Sequence, residues 1–375
     1  MILLLHNRYR RSGGEERAVA EIGALLARRG HQVEVLERSS EAIGRGRAGF
    51  GMLAGGLDSD AIGATVRRLG ADVVHAHNLH PTLGWRALAA ARAAGARTIL
   101  HLHNFRLFCA VGISYRDGAP CFRCRGNSTL PGLRLRCRGS LPEAVVYAAG
   151  LHRQQPRLYQ YVDQFVTVSE STAGHLRDLG VPASLTATLP NFMPNDAFAS
   201  TSSAGTGEFA LAAGRLTEEK GFDTAITAAR AADVPLVIAG SGPDEERLRA
   251  LADGADVRFT GWLAPDALAE LRTRAVVVLA PSRWEEPCPY SVLEALAAGV
   301  PVLASDRGGL PELVGDDAVL PATDPAAWAG PLRALWNDPG MRSERGSAAL
   351  ARARERFGED RFYEGLMRLY DPVSA

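Results

Sequence analysis

Two glutamates, Glu286 and Glu294, stand eight positions apart in the stretch WEEPCPYSVLEALAAG at residues 284–299, with a Pro-Cys-Pro-Tyr-Ser elbow between them. On one continuous helix that offset is slightly over two turns and would face both carboxylates the same way, as paired acid and base groups require. Pro287 and Pro289 forbid such a helix. Pro289 suits a first helical position and Gly299-Val300-Pro301 a helix stop, so the spacing predicts a helix from Pro289 to about Ala298. Glu286 then lies in the preceding loop and Glu294 on the second turn. The amides of Tyr290 and Ser291 point out of the helix N-terminus as a weak anion site. Capping and surface positions are the competing reading of the two glutamates.

A second group of charges precedes it. In GRLTEEKGFD, Arg215 and Lys220 stand five apart in a glycine-bounded turn ahead of a helix. Of 42 Lys+Arg residues Lys220 is the single lysine. A lone survivor of near-complete replacement by arginine marks chemistry that a planar guanidinium cannot do. A fork and a point charge beside a helix N-terminus suit a diphosphate; solvated loop charges are the bland alternative.

Four of the five cysteines, Cys109, Cys121, Cys124 and Cys137, are spaced C-x11-C-x2-C-x12-C within twenty-nine residues. In a cytoplasmic chain this suits a four-thiolate structural zinc site, with unbridged thiols or disulfides as alternatives. The same segment carries Arg106, Arg116, Arg123, Arg125, Arg134, Arg136 and Arg138, which are either a solvated basic loop or a face for an anionic acceptor such as a lipid-linked phosphate. His75 and His77 share one strand face and read as core or wall residues, with His80 nearby, rather than as a ligand cluster.

The elements that must position these groups alternate almost end to end. Apolar runs predict strands at 1–6, 32–37, 72–77, 97–103 and 164–169, with helices near 15–29, 58–69, 82–94, 141–160 and 171–179. Residues 190–208 break the pattern with loop formers. A second series follows, with strands at 208–213, 235–239, 257–260, 276–280 and 301–304 and helices near 221–231, 243–252, 265–273, 290–298 and 309–314. This is α/β architecture: two Rossmann-like doubly wound domains facing across a cleft, at 1–190 and 208–350, with a linker at 191–207 and a cysteine-rich loop at 104–140. A helical tail at 351–375 is expected to return to the first domain.

Composition excludes several classes. Hydrophobic residues make up 46% and 42 basic residues balance 42 acidic ones, so no global field for nucleic acid exists. MILLLH is too short for a signal peptide or a membrane span, which predicts a cytoplasmic protein, at most attached to a membrane surface.

The stretches GRLTEEKG, FTGWL and PSRWEEPCPYSVLEALAAGVPVLASDRGGLPELV together resemble the donor-site motifs of the retaining glycosyltransferases of family four, which have the GT-B fold. SGGEERAVAEIGALLARRGHQVEVL, ADVVHAHNLH and TILHLHNFRLFC are similar to that family's glycine loop and following strands. The resemblance covers essentially the whole chain. It implies that Arg215 and Lys220 hold the diphosphate of a nucleotide sugar of UDP or GDP type. It gives Glu294 the ribose hydroxyls and Glu286 a sugar hydroxyl. Trp262 and Leu263 fall where the family contacts the base, Gly13 and Gly14 where a loop closes over the donor, and Cys288, Pro289, Tyr290 and Ser291 at the phosphate elbow. His103 matches the active-site histidine; His101 is its rival by spacing. Family members often carry glycine where this chain has Pro289, which removes one phosphate-binding amide.

The reaction implied is transfer of a hexose to a hydroxyl acceptor, a cell-envelope glycan intermediate or a small metabolite, with retained configuration. Cations and helix amides would do at the leaving group what a metal does elsewhere, so no cofactor is required for catalysis. A dehydrogenase is disfavoured because HNRYRRSGGEER is not G-x-G-x-x-G. A nucleotide-sugar epimerase of GT-B fold and a non-enzymatic zinc-binding scaffold remain as alternatives.

Overall fold

The apolar run ILLLHNR forms strand β1 (Ile2–Arg8), buried from Ile2 through Asn7 without the alternation of a half-exposed strand. Burial on both faces is what helices covering both sides of a parallel sheet demand. A computed structural model describes residues 1–8, 13–39 and 42–371; residues 9–12 of the expected glycine loop lie outside this range, while Gly13 and Gly14 lie within it. After β1 come β2 (Val33–Ser39), β3 (Val73–Ala76), β4 (Arg97–Leu102), a two-stranded hairpin of β5 (Tyr115–Arg116) and β6 (Ala119–Pro120), β7 (Gln164–Thr167) and β8 (Thr186–Thr188). All but the hairpin form one parallel sheet in the order β2-β1-β3-β4-β7-β8.

The second series gives β9 (Phe209–Ala213), β10 (Leu236–Ala239), β11 (Val257–Gly261), β12 (Ala275–Ala280), β13 (Val302–Ser305) and β14 (Val319–Leu320). Their order is β11-β10-β9-β12-β13-β14, the doubly wound arrangement that reverses between β9 and β12. Its core joins Ala212, Ile226, Ile238, Val277 and Leu279 to Trp328 and Leu332 of helix Ala326–Asn337. Each sheet is thus the centre of one of two compact units: Met1–Ser114 with Cys121–Pro190 and the chain from Tyr363 onward, and Tyr115–Pro120 with Asn191–Phe362.

These boundaries correct two expectations. Residues 191–207 are part of the second unit rather than a free linker: Ser202 Oγ donates to Gly299 O at 2.6 Å, and the buried Arg342 guanidinium donates to Ala204 O and Gly205 O at 3.0 and 2.8 Å. The second unit also runs to Phe362 rather than 350. The chain passes to the first unit inside helix Glu359–Tyr370, where Phe362 packs on Phe192 and the next residue, Tyr363, bonds His31 at 2.8 Å.

Several elements have no clear sequence signal. Helix Arg45–Ala54 is half glycine and arginine, yet it forms because Met52 is fully buried against helix Leu141–Tyr161, where Gln154 donates to Met52 O at 2.7 Å and Gly150 leaves room for the Met52 side chain. Packing overrides propensity there. Strands β8 and β14 are sheet edges of three and two residues, too short for a periodic signal.

The first sheet buries its histidines. His75, His77, His80 and His101 are 0%, 1%, 8% and 1% exposed, with the His75 and His101 rings stacked 5.4 Å apart. Burial holds all four pKa values down, to about 3 for His75 and about 4 for His80. The unfolded chain takes up protons below about pH 6.5 that the folded chain refuses, so this contribution to stability is complete above that pH and is lost as pH falls toward 4. The limiting slope is about 1.4 kcal/mol per pH unit for each histidine. Denaturant midpoints at pH 7 and pH 5 should therefore show a clear fall at pH 5, and equal midpoints would rule out a neutral buried array.

Candidate functional site

In the second unit, the loops that follow β9, β12 and β13 meet where the strand order reverses. The turn after β9 carries Lys220, and Gly221, at φ +67°, lets it approach the turn after β12: a β-carbon there would lie 2.1 Å from Pro281 O. Arg283 N–H donates to Glu219 O at 2.8 Å, joining the two turns. Lys220 Nζ then reaches Glu286 Oε1 at 2.5 Å, and Ser282 Oγ donates to the same oxygen at 2.6 Å. Ser305 Oγ, at the end of β13, donates to Ser282 O at 2.6 Å. The Glu286 carboxylate is 5% exposed and Lys220 22%. Lys220 also lies over the Trp284 ring, 5.4 Å from its centroid.

The backbone of Glu286 is fixed as firmly as its side chain. Gly308, at φ +57°, sits where a β-carbon would fall 2.3 Å from Glu286 O, and Gly309 N–H donates to that oxygen at 2.7 Å. The Gly308 N–H is held by the Glu285 carboxylate at 2.6 Å. The paired glycines of DRGGLPEL thus clamp the loop that aims Glu286.

Helix Tyr290–Ala297 begins one residue later than the spacing predicts, with Pro289 as its cap residue rather than its first helical residue. Val292 and Leu293 N–H groups donate to Pro289 O, while Tyr290 and Ser291 occupy the first two helical positions, whose N–H groups have no acceptor inside a helix. Lys220, Ser282, Glu286, Pro289, Ser291 and Leu310 line a single cavity. The side chains of Cys288 and Tyr290 are buried and do not line it; burial pushes the Cys288 thiol up to about 12, so it is inert.

Glu294 stands on the second helical turn, as expected, but not alone. Arg272, buried at the end of helix Pro265–Thr273, donates through Nη2 to Glu294 Oε2 at 2.5 Å. Sequence reading missed Arg272 because LRTRA offers two arginines with no cue to which is buried; Arg274 is exposed and pairs with Glu208. Ser282 and Trp284 were missed as well, although both lie inside the quoted stretch. Arg215 is more than half exposed and 3.5 Å from Glu219 Oε1, on the same turn as Lys220 but outside the cavity. Trp262, strongly exposed, and Leu263 follow the edge strand β11.

The first unit gathers a separate set at the carboxyl ends of β1, β3 and β4. His103 follows β4, and its Nε2 is 3.0 Å from His77 Nδ1. Asn104 donates to Glu15 Oε2 at 2.8 Å, and Asn78 to Asn7 O at 2.6 Å. His103 is partly exposed where His101 is 1% exposed, and both line one cavity with Glu15, Asn78 and Asn104. Gly13 and Gly14 are exposed at the start of helix Gly14–Arg28, with Gly13 N–H held by Glu16 Oε2 at 2.8 Å.

Among the described residues, the trio whose ligand atoms lie within 4.8 Å of one another is His75, His77 and His101. Their rings are stacked, with interplanar angles of 9° to 29°, so their lone pairs run side by side instead of converging on an ion. The four cysteines of the 104–140 segment are unbridged and half-buried. No helix among the described residues is long and apolar enough to cross a membrane.

Comparison with known proteins gives the family and the fold. The profile for glycosyl transferases group 1 matches residues 195–352, and that for the glycosyl transferase 4-like domain matches residues 13–191. A D-inositol 3-phosphate glycosyltransferase of Acidothermus cellulolyticus is 29% identical over 97% of this chain and 86% of its own length. A phosphatidyl-myo-inositol mannosyltransferase of Mycobacterium leprae is 37% identical over 38% of this chain and 39% of its own length. Among solved structures, sucrose-phosphate synthase from Thermosynechococcus elongatus superposes with a TM-score of 0.72 at 18% identity, over 99% of this chain and 98% of that one. Anabaena HepE, solved in complex with UDP, gives 0.66 at 17% identity, over 98% of each chain. With the two profiles accounting for nearly all of residues 13–352, the chain belongs to glycosyltransferase family four, is a glycosyltransferase and has the GT-B fold.

Proposed function

We propose that the enzyme moves a hexose from a nucleoside-diphosphate sugar to a hydroxyl acceptor with retention of configuration. The observation that carries this reading is the Lys220–Glu286 pair at 2.5 Å, in a cavity bounded by the start of helix Tyr290–Ala297. Cation, carboxylate and helix N-terminus are the three components that a sugar diphosphate asks for: a point charge and amide donors for phosphate, and an acceptor for a sugar hydroxyl.

As the glycosidic bond breaks, negative charge grows on the departing diphosphate. An ammonium held by Glu286 keeps two further N–H donors for phosphate oxygens, and groups already in place need no reorganisation at that moment. Arg215, exposed on the same turn, supplies the second cation. With this charge provided by side chains and amides, the reaction centre has no need of a metal, and added magnesium or manganese should leave the rate unchanged. Glu294 holds the ribose hydroxyls in this reading. Exposed Arg123, Arg134 and Arg136 suit an anionic acceptor, including a lipid-linked phosphate at a membrane surface.

The reading is tested first by binding: UDP or GDP should raise the melting temperature by several degrees at saturating concentration. If neither does so, the reading of a UDP or GDP sugar as donor fails.

Lys220→Arg keeps the charge but places a wide planar fork in a cavity shaped for an ammonium; kcat/KM should fall about 100-fold, the scale of losing one preorganised donor. Wild-type turnover in this variant would refute the geometric argument. Arg272→Met leaves Glu294 without its guanidinium and should raise donor KM about tenfold with a smaller change in kcat. It should also narrow the preference for UDP over 2′-deoxy-UDP, a readout that a purely structural ion pair would not move.

A further inference from the structure

We propose that Cys109, Cys121, Cys124 and Cys137 form a four-thiolate zinc site that organises the segment between β4 and helix Leu141–Tyr161. The proposal is independent of the transferase reading. Along this stretch the regular elements are the β5–β6 hairpin and the five-residue helix Leu130–Arg134. The core beneath it is limited: Phe105, Phe108 and Phe122 pack with His175 on one side. Apart from that helix, residues 123–138 are turns and loop, including Gly126 and Arg136 at positive φ.

The fold nevertheless gathers all four cysteines. The rings of Phe108 and Phe122, next in sequence to Cys109 and Cys121, have centroids 6.4 Å apart, so the turns that carry these two cysteines are neighbours. Gly132 joins the other two: its carbonyl accepts from Cys137 N–H at 3.1 Å, and a β-carbon on it would lie 3.6 Å from Cys124 Sγ. The C-x2-C spacing closes the ring between Cys121 and Cys124. Four reduced thiols in one short segment are the donor set of a structural zinc site.

A tetrahedron with Zn–S bonds of about 2.3 Å sets sulfurs about 3.8 Å apart. The cysteine sulfurs are more widely spread than the 4.8 Å grouping met by the buried histidines. Rotation about Cα–Cβ moves a sulfur by up to about 3 Å, and a rotamer change of that size is the adjustment the proposal asks of these side chains. The stacked histidines have no equivalent adjustment, because their rings are packed inside the sheet.

The test is metal analysis of the full chain purified under reducing conditions without chelator. The expected result is about one zinc per chain, lost in Cys124→Ser. Less than about half a zinc per chain, unchanged after incubation with zinc and dialysis, would overturn the proposal. So would iron in place of zinc, disulfides among these cysteines, or zinc that survives Cys124→Ser but disappears in His101→Ala. Should Cys124→Ser fail to fold, mercurial titration of the native chain decides: zinc must be released in step with modification of four thiols, and release without thiol modification refutes the site. None of these readouts involves sugar transfer, so failure here and failure of the transferase reading are separately visible.

Discussion

One carboxylate, that of Glu286, ties together the chemistry-bearing loops of the second unit. It is almost fully buried, and a buried charge survives only when it is paired and hydrogen-bonded. Lys220 arrives from the turn after β9, Ser282 from the turn after β12, and Ser305 at the end of β13 holds Ser282 in turn. Gly308 and Gly309 press against the backbone of the same residue. Three strands of one sheet therefore have their carboxyl ends positioned with respect to one oxygen, and the cavity beside it inherits that rigidity.

The first unit meets a different constraint. A parallel sheet covered on both faces leaves no water for the imidazoles of HAH and HLH, so His75, His77 and His101 are kept neutral and stacked. His103 follows the last residue of β4 and emerges from that array, bonded to His77 through Nε2 and only partly buried. Burial in the strand and exposure just past its end separate two histidines that the sequence places only two positions apart.

Much of the architecture was legible because its signals are periodic and local. Unbroken apolar runs marked ten of the twelve strands of the two parallel sheets, and the proline cap and glycine stop bracketed helix Tyr290–Ala297 to within one residue. Signals that depend on partners far along the chain were not legible. Helix Arg45–Ala54 exists because of what Met52 packs against, and residues 191–207 read as a linker because no local pattern announces that Arg342 will bind their carbonyls. Arg272 and Arg274 are equivalent in sequence; only the packing of helix Pro265–Thr273 sends one to Glu294 and the other to solvent.

The sequence by itself determined the chemistry on offer: one lysine among forty-two cations, two carboxylates separated by a proline elbow, four clustered cysteines, and two alternating series of strands and helices. These are matters of residue type and short-range spacing, which the chain carries before it folds. Tertiary structure decided which of those groups act together. It joined Lys220 to Glu286 across sixty-six positions, gave Glu294 a guanidinium partner, and withdrew Cys288 into the core. Such pairings require strands to be ordered side by side in a sheet, and that order is set by burial of whole faces rather than by any local run of residues.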